Sequence, residues 1–254
     1  MSQTQIMHHP MSQRNDLVLA ITTIAKPRAH ITLTKIAAQE GLDGLLVVAR
    51  ENFALWIAGQ SLRYHPNMAK LRVLALQQQQ NDVLIDATQL SPGDRVLDCT
   101  CGLGADATVA AYVVGPTGHV RALEFSPLLA LLVTRGMASF ALDNPADLVP
   151  AMRRVEVRHA DFAAYLRAEA DDTWDVVYFD PMFTATVAKA HGLDLVRHLA
   201  RPGGPSPADL DEARRVAHRR VVMKDRLPGL ELNRLGFTTI KRGRRVCYGV
   251  FDAL

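Results

Sequence analysis

The order of apolar and polar positions along the chain predicts strands that alternate with helices. Four short apolar runs typical of buried strands each lead into an acidic residue: Asp98, Glu124, Asp161 and Asp180. Apolar residues at helical spacing follow, with helices predicted over 105–114, 127–135, 162–168 and 208–217. The last part of the chain predicts two strands joined by a basic turn over 241–245. This order predicts an α/β fold, a doubly wound and mostly parallel sheet with a reversed last strand.

A second, smaller unit is predicted ahead of the main sheet. Residues 17–62 are expected to form a small N-terminal α/β subdomain, with an apolar run, a helix over 33–42 and a hairpin-like pair of strands. We expect a disordered tail over 1–16 and the main domain over 63–254. Helical periodicity also covers 67–87, where the four glutamines at 77–80 form either a helix surface or a break between two helices.

The composition limits the class of protein. The chain has 254 residues, 48% hydrophobic and 22% charged, which suits one large domain or a large and a small one. It has no run of about 18 apolar residues and no signal-peptide pattern, so we expect no membrane segment. Its three cysteines have neither a disulfide pattern nor metal-ligand spacing. We therefore expect a cytoplasmic protein with reduced thiols and no metal site.

Positive charge is concentrated in the C-terminal part of the chain. The net charge is +3, but residues 213–254 contain eleven Lys or Arg against three Asp or Glu, a local balance of +8. Such a basic segment favours an anionic partner, with nucleic acid as the first candidate. A solvated helix face followed by a basic hairpin would account for the same charge.

A glycine-rich turn follows the first strand of the main sheet. Gly102 and Gly104 allow the backbone to approach a ligand, and the next helix presents its positive N-terminus there. Glu124, 20 residues after Gly104 and at the end of the next strand, can accept hydrogen bonds from both hydroxyls of a ribose. Together these residues predict a nucleoside cofactor, whereas the two glycines alone are also typical of a structural turn.

Two further acidic residues narrow the choice of cofactor. A carboxylate at Asp98 suits a cationic amino-acid group better than a pyrophosphate, whose charge it would repel. This favours S-adenosylmethionine over NAD. Asp161 is placed either to accept a hydrogen bond from an adenine amino group or to cap the following helix.

The fourth strand ends in a segment that suits amine chemistry, Asp180-Pro181-Met182-Phe183. Proline removes a backbone donor, so Asp180 and a nearby carbonyl can both accept hydrogen bonds from an exocyclic NH2 group. Phe183 can stack on a base, a contact of roughly 1–3 kcal/mol. Catalysis would then depend mainly on positioning. A strand end with a buried phenylalanine is the alternative interpretation.

These motifs resemble a known family. The resemblance covers residues 64–250 and is carried by LDCTCGLGADA (97–107), ALEFSPLLALLVTRGM (122–137), VVYFDPMF (176–183) and EARRVAHRRVVMKDR (212–226). The chain resembles class I S-adenosylmethionine-dependent methyltransferases. More narrowly, it is similar to the RsmJ-like family, whose characterised members methylate the guanine N2 amino group of small-subunit ribosomal RNA. The resemblance implies a seven-stranded, Rossmann-like sheet.

The resemblance and the strand-end positions together define the candidate residues. The predicted cofactor-binding residues are Asp98, Thr100, Gly102, Gly104, Asp106, Glu124, Phe125, Asp161, Phe162 and Asp180. The predicted catalytic residues are Asp180, Pro181 and Phe183, and the predicted RNA contacts are Phe183, Lys224, Arg244 and Arg245. We expect an N-methyltransferase acting on RNA. Two alternatives stay open: a methyltransferase of a small molecule or a protein amide, and a non-catalytic protein that binds the cofactor or RNA.

Overall fold

The structure is a computed structural model that describes residues 4–9, 17–23, 35, 38–39, 44–49, 52–57, 60–141, 145–182, 199 and 201–253. Within these residues the chain forms a five-stranded sheet and a seven-stranded sheet. None of the described helices is long and apolar enough to cross a membrane.

The smaller sheet is built from the first part of the chain. Its strands are β1 (Thr4–His9), β2 (Leu17–Thr23), β3 (Gly44–Ala49), β4 (Asn52–Ile57) and β5 (Gln60–Arg63), in the spatial order of their numbers. β2 and β3 are parallel, and the other neighbours are antiparallel. The predicted hairpin-like pair is confirmed as β3 and β4. The helix predicted over 33–42 falls mostly outside the described residues.

The structure corrects the expected disorder at the N-terminus for residues 4–9. These residues form β1, which pairs along its whole length with β2, from Thr4 opposite Thr22 to His9 opposite Leu17. The partner strand supplies the backbone hydrogen bonds that an isolated polar segment would lack. The pairing of β1 with β2 cannot be predicted from the sequence of residues 4–9 alone.

The larger sheet has the predicted doubly wound arrangement. Its strands are β6 (Arg95–Asp98), β7 (His119–Glu124), β8 (Val155–His159), β9 (Trp174–Phe179), β10 (Ala217–Arg226), β11 (Thr239–Arg242) and β12 (Val246–Asp252). Their order is β11-β12-β10-β9-β6-β7-β8. β6 to β10 are parallel, and β12 is antiparallel to both of its neighbours. The expected reversed last strand is therefore confirmed.

The described helices are α1 (Asn67–Gln77), α2 (Val83–Thr88), α3 (Ala105–Val114), α4 (Pro127–Ser139), α5 (Leu148–Arg154), α6 (Phe162–Ala168), α7 (Pro207–Val216) and α8 (Leu230–Arg234). The glutamine run breaks the helix: α1 ends at Gln77, and the Asp82 side chain accepts hydrogen bonds from the backbone N–H groups that begin α2. Asp82 is therefore the N-cap of α2 and lies outside the helix. The glutamine run is a break between two helices and not the surface of one helix.

Two short helices were not predicted. α5 contains Pro150 in its first turn, where a helix has no partner for the backbone N–H and tolerates proline. α8 is held by Asp225, whose carboxylate accepts hydrogen bonds from the N–H groups of Glu231 and Leu232. Both helices therefore depend on contacts that the periodicity of the chain does not reveal.

The parallel strands bury side chains on both faces of the larger sheet, as expected for a doubly wound fold. Val96, Val120 and Val176 belong to one core cluster, and their neighbours Leu97 and Val177 belong to the other. A third cluster joins the smaller sheet to α4, with Leu55, Ile57, Leu62, Leu128, Leu129, Leu132 and Leu199.

Chain order reverses at β6, which lies between β7 and β9 in the sheet. A crevice opens at such a reversal, beyond the carboxyl ends of the strands. Asp98 pairs with Tyr178 across β6 and β9, so Asp98 and Asp180 come to the same edge. The fold therefore brings the predicted site residues together at the expected place.

Candidate functional site

A cleft of about 710 Å³ lies at the carboxyl edge of the larger sheet. Its size is within the range of cavities that bind small molecules and cofactors. Of the predicted residues, it is lined by Asp98, Thr100, Gly102, Asp106, Glu124, Phe125, Phe162, Asp180, Pro181, Lys224 and Arg244. The described residues contain no group of three or more His, Cys, Asp or Glu side chains placed to hold a metal ion.

Asp98 has one carboxylate oxygen bonded and one oxygen without a partner. The residue is 1% exposed, and its Oδ1 accepts a hydrogen bond from the Thr100 N–H at 2.9 Å. Its Oδ2 is buried and has no hydrogen-bond partner among the described residues. Burial raises the pKa of Asp98 to about 8. A buried, unpaired acceptor that lines a cleft is suited to a cationic ligand group, which would supply the missing donor.

Glu124 is tied to the glycine-rich turn through both of its oxygens. Oε2 accepts from the Gly102 N–H at 2.9 Å, and Oε1 accepts from the Ser126 N–H at 2.8 Å. Burial raises the pKa of Glu124 to about 7, although the two N–H groups oppose the shift. Each oxygen keeps a further lone pair, so the carboxylate can still accept bonds from ribose hydroxyls.

The two glycines adopt the left-handed conformation that the predicted turn requires, with φ +53° at Gly102 and +72° at Gly104. A Cβ at Gly102 would meet no described atom within 4 Å, which leaves room for a ligand against the backbone. A Cβ at Gly104 would collide with Met137 of α4. Gly102 therefore suits a ligand contact, whereas Gly104 is favoured by its left-handed backbone conformation, because the end of the flexible Met137 side chain can move away from a Cβ.

Asp161 caps a helix, which is one of the two roles expected for it from the sequence. Its Oδ1 accepts from the N–H groups of Ala163 and Ala164 at the start of α6. Its Oδ2 accepts from Arg201 Nε at 2.7 Å, and the Arg201 guanidinium carbon lies 4.1 Å from the centre of the Phe162 ring. Burial alone would raise the pKa of Asp161, but Arg201 and the two N–H groups hold it below its usual value. The expected adenine contact stays a prediction.

Asp106 lies in a buried network of charged groups. It accepts hydrogen bonds from Arg72, from the Tyr178 hydroxyl at 2.8 Å and from Lys224 Nζ at 3.1 Å. Lys224 Nζ also donates to Asp180 Oδ2 at 2.7 Å. Burial acts to raise the pKa of Asp106, but the two cations outweigh it and hold the pKa below its usual range. Asp106 therefore positions the side chains of Arg72, Tyr178 and Lys224 at the cleft.

These contacts correct the expected role of Lys224 at RNA phosphates. Its side chain is 21% exposed and is directed at two carboxylates within the cleft. Thr100 also has a structural contact, because its hydroxyl accepts the Asp180 N–H at 2.5 Å. Thr100, which follows β6, thereby positions Asp180, which follows β9. The spacing of the two motifs in the sequence did not reveal this contact.

The remaining predicted residues differ in how far the structure describes them. Arg244 and Arg245 are exposed in the turn between β11 and β12, and no ion pair is found for either side chain within the described ranges. Pro181 is buried, and Phe125 is half-buried beside the cleft. Phe183 lies outside the described residues.

Two arginines of the site had no predicted role. Arg72 lies on α1 among apolar positions, and this placement is a signal that sequence reasoning can use. Arg201 follows a segment without periodicity, and no local pattern points to it. Both were missed because their partners, Asp106 and Asp161, are distant in sequence.

A family described as "Putative SAM-dependent methyltransferase" matches residues 61–250. The Uncharacterized protein YpiP of Bacillus subtilis is 38% identical over 210 residues, covering 82% of this chain and 81% of that protein. A Ribosomal RNA small subunit methyltransferase J of Nitrosococcus oceani is 36% identical over 142 residues, and one of Cronobacter sakazakii is 38% identical over 136 residues.

The matches with the two ribosomal RNA methyltransferases are partial: they cover 54% and 51% of those proteins, respectively, so the chain spans about half of their length. A crystal structure of an SAM-dependent methyltransferase from Neisseria gonorrhoeae is similar with a TM-score of 0.62 and 20% identity. This match covers 92% of this chain and 95% of that one, and it shows that the two share a fold.

Proposed function

Because the chain belongs to this family of S-adenosylmethionine-dependent methyltransferases, we propose that it methylates the exocyclic amine of a guanine in RNA, specifically small-subunit ribosomal RNA. The enzyme class and the cofactor follow from the family. The group that accepts the methyl group is our proposal, and one observation is its main support. Asp180, at the end of β9, presents a carboxylate that is 39% exposed in the cleft, beside a basic turn.

The residues of the cleft fit the cofactor. S-adenosylmethionine, when bound, supplies a methyl group activated by a sulfonium. The unpaired Asp98 Oδ2 would accept from its ammonium group, and Glu124 would accept from its ribose hydroxyls. The open backbone at Gly102 would contact it closely, and Asp161 would approach its adenine.

Asp180 would act by orienting the acceptor amine. An ionised carboxylate can only accept hydrogen bonds, so it binds the N–H groups of an amine and directs the nitrogen lone pair. The nitrogen would gain the methyl group as the methyl–sulfur bond breaks and leaves a neutral thioether, and it would then release a proton, which Asp180 or water can take up. Positioning of this kind contributes through proximity and orientation and requires no strong general base.

Two features support RNA as the substrate. Arg244 lines the cleft and Arg245 follows it in an exposed turn, where both can contact phosphates. The relatives from Nitrosococcus oceani and Cronobacter sakazakii are named as ribosomal RNA methyltransferases, although each match covers about half of the protein. On sequence grounds, we further propose that Phe183 stacks on an unpaired or flipped base.

The proposal is tested by transfer of a tritiated methyl group from the cofactor to total RNA of a strain that lacks this gene, followed by nucleoside analysis. We expect N2-methylguanosine. Label in a protein or small-molecule fraction, or in another nucleoside, would contradict the proposal. Asp180→Ala is expected to lose transfer while it retains cofactor binding at Asp98 and Glu124.

The basic turn is tested by the salt dependence of RNA binding. The double variant Arg244→Ala and Arg245→Ala removes two candidate phosphate contacts, so the slope of log affinity against log salt should fall by about 1.4. The matched control is Arg95→Ala with Arg153→Ala, two exposed arginines at the opposite edge of the sheet. Equal slopes for all three proteins would exclude the turn from the RNA contact.

A further inference from the structure

The carboxylate of Asp180 has one cation in direct contact among the described residues. Lys224 Nζ lies 2.7 Å from its Oδ2 and 3.1 Å from Oδ2 of Asp106. The lysine therefore bridges a carboxylate in the open part of the cleft and one that is buried below it. Arg72, the nearest other cation of the network, is bonded to Asp106 and Asp82 instead.

Most of the other surroundings oppose a negative charge on Asp180. The titratable groups that face it are Asp98 on β6, Asp106 on α3, Tyr178 on β9, Lys224 on β10 and Tyr248 on β12. Burial and the Asp106 charge act to raise the pKa of Asp180, and Lys224 acts to lower it. Removing the lysine would leave an acidic side chain that gains a proton more readily.

The protonation state decides what Asp180 can do. An ionised carboxylate offers acceptors to both hydrogens of an amine, whereas a protonated one also presents a donor. The direction of the carboxylate matters as well, because a hydrogen bond weakens steeply away from linear geometry. The 2.7 Å contact with Lys224 restrains one oxygen and leaves the other available.

We propose that Lys224 is a positioning residue for methyl transfer, whose ammonium group holds the Asp180 carboxylate charged and oriented to accept hydrogen bonds from a neutral amine. This inference rests on the proposed function of Asp180. It also narrows the substrate class. A cation within 2.7 Å of the acceptor carboxylate disfavours a protonated alkylamine, so the site suits neutral amines such as those of nucleobases.

The test follows the Asp180 carboxyl signal by ¹³C NMR in labelled protein, assigned with Asp180→Asn, and therefore needs no substrate. In Lys224→Met the titration is expected at a pH about one unit higher or more, which is roughly a tenfold loss of ionised Asp180 at a fixed pH below its pKa. Water at this 39% exposed side chain screens part of the effect. Lys224→Arg should titrate close to the wild-type protein. An unchanged titration in Lys224→Met would overturn the proposal.

A second variant covers the case in which Lys224→Met does not fold. Lys224→Gln removes the positive charge and keeps a hydrogen-bond donor beside Asp180, so Asp180 is again expected to titrate at higher pH than in the wild-type protein. No change, or a change to lower pH, would contradict the proposed electrostatic role.

The activity assay separates positioning from a general structural effect. The acid limb of the kcat profile should move to higher pH in Lys224→Met, whereas a loss of the same factor at every pH would indicate a structural role alone. Arg95→Met, which breaks an ion pair with Asp175 at the far edge of the sheet, should keep the wild-type profile. If the wild-type protein methylates no RNA, the proposed function fails, and the NMR titration still decides the role of Lys224.

Discussion

Asp98→Asn is expected to stabilise the free protein while it weakens cofactor binding. The residue is 1% exposed, and burial raises its pKa to about 8, far above the ordinary value near 3.9. The folded protein therefore holds a proton between about pH 4 and pH 8 that the unfolded chain releases. The contribution of this group to the free energy of unfolding is at its maximum below about pH 4. It falls as the pH rises through this window, by up to ~1.4 kcal/mol per pH unit.

Asparagine removes the titrating group and keeps the contact that orients it. Its amide oxygen can accept the Thr100 N–H as the Asp98 Oδ1 does. The variant should therefore exceed the wild-type free energy of unfolding at pH 8 by roughly 1–4 kcal/mol, because the NH2 group that replaces the unpaired Oδ2 offsets part of the gain. The difference should shrink as the pH is lowered towards 4.

Cofactor binding should change in the opposite direction. Loss of a hydrogen bond to a charged group costs about 1.5–3 kcal/mol, which corresponds to a dissociation constant roughly 10- to 150-fold larger. In the wild-type protein, binding must remove the proton from Asp98, so affinity should rise almost tenfold per unit between pH 6 and 7.5. The range ends there because an α-amino group itself loses its proton at about 7.7–8.0.

Differential scanning calorimetry and calorimetric titration measure both effects. The slope of log affinity against pH should fall by about one in the variant, with one proton fewer released. Asp175→Asn is the matched control, because Arg95 holds the pKa of Asp175 low despite partial burial, so its loss should destabilise the protein. A variant at Asp98 that melts no higher than wild type at pH 8, or binds the cofactor equally well, would refute the reasoning.

Two further substitutions test the turn beside Asp98. Glu124→Gln replaces an acceptor oxygen by an NH2 group that faces the N–H of Gly102 or of Ser126, so we expect about 1–3 kcal/mol weaker cofactor binding by calorimetry. Unaltered affinity would exclude Glu124 from the ribose contact. Gly104→Ala places a Cβ at φ +72° against Met137, so the free energy of unfolding should fall by about 1–3 kcal/mol in urea titrations. A wild-type unfolding midpoint would show that alanine adopts the left-handed conformation at this position without cost.

The helices and strands of the larger sheet could be predicted largely from local pattern. The predicted ranges of α3 and α6 agree with the structure, because each has apolar residues at helical spacing and a clear start, Gly104 or Asp161. α8 could not be predicted in the same way. It has five residues and depends on Asp225, a partner outside the helix.

In the candidate site, too, the features that follow from local pattern were predicted and the contacts between distant residues were not. Asp98, Glu124 and Asp180 were found because parallel strands bring their carboxyl ends to one edge, so a position at a strand end is enough. The contacts that these carboxylates and Asp161 make within the protein were not predicted. Thr100 contacts Asp180 across 80 residues, and Arg201 contacts Asp161 across 40.

By itself, the sequence determined the order of strands and helices, the edge at which the site forms and the acidic residues that line it. These follow from periodicity and chain direction, which are local properties. Only the tertiary structure decided that Lys224 binds Asp180 and Asp106 instead of lying free for an external anion. The physical reason is that a charge is paired or solvated according to its neighbours in space, and those neighbours come from separate strands and helices.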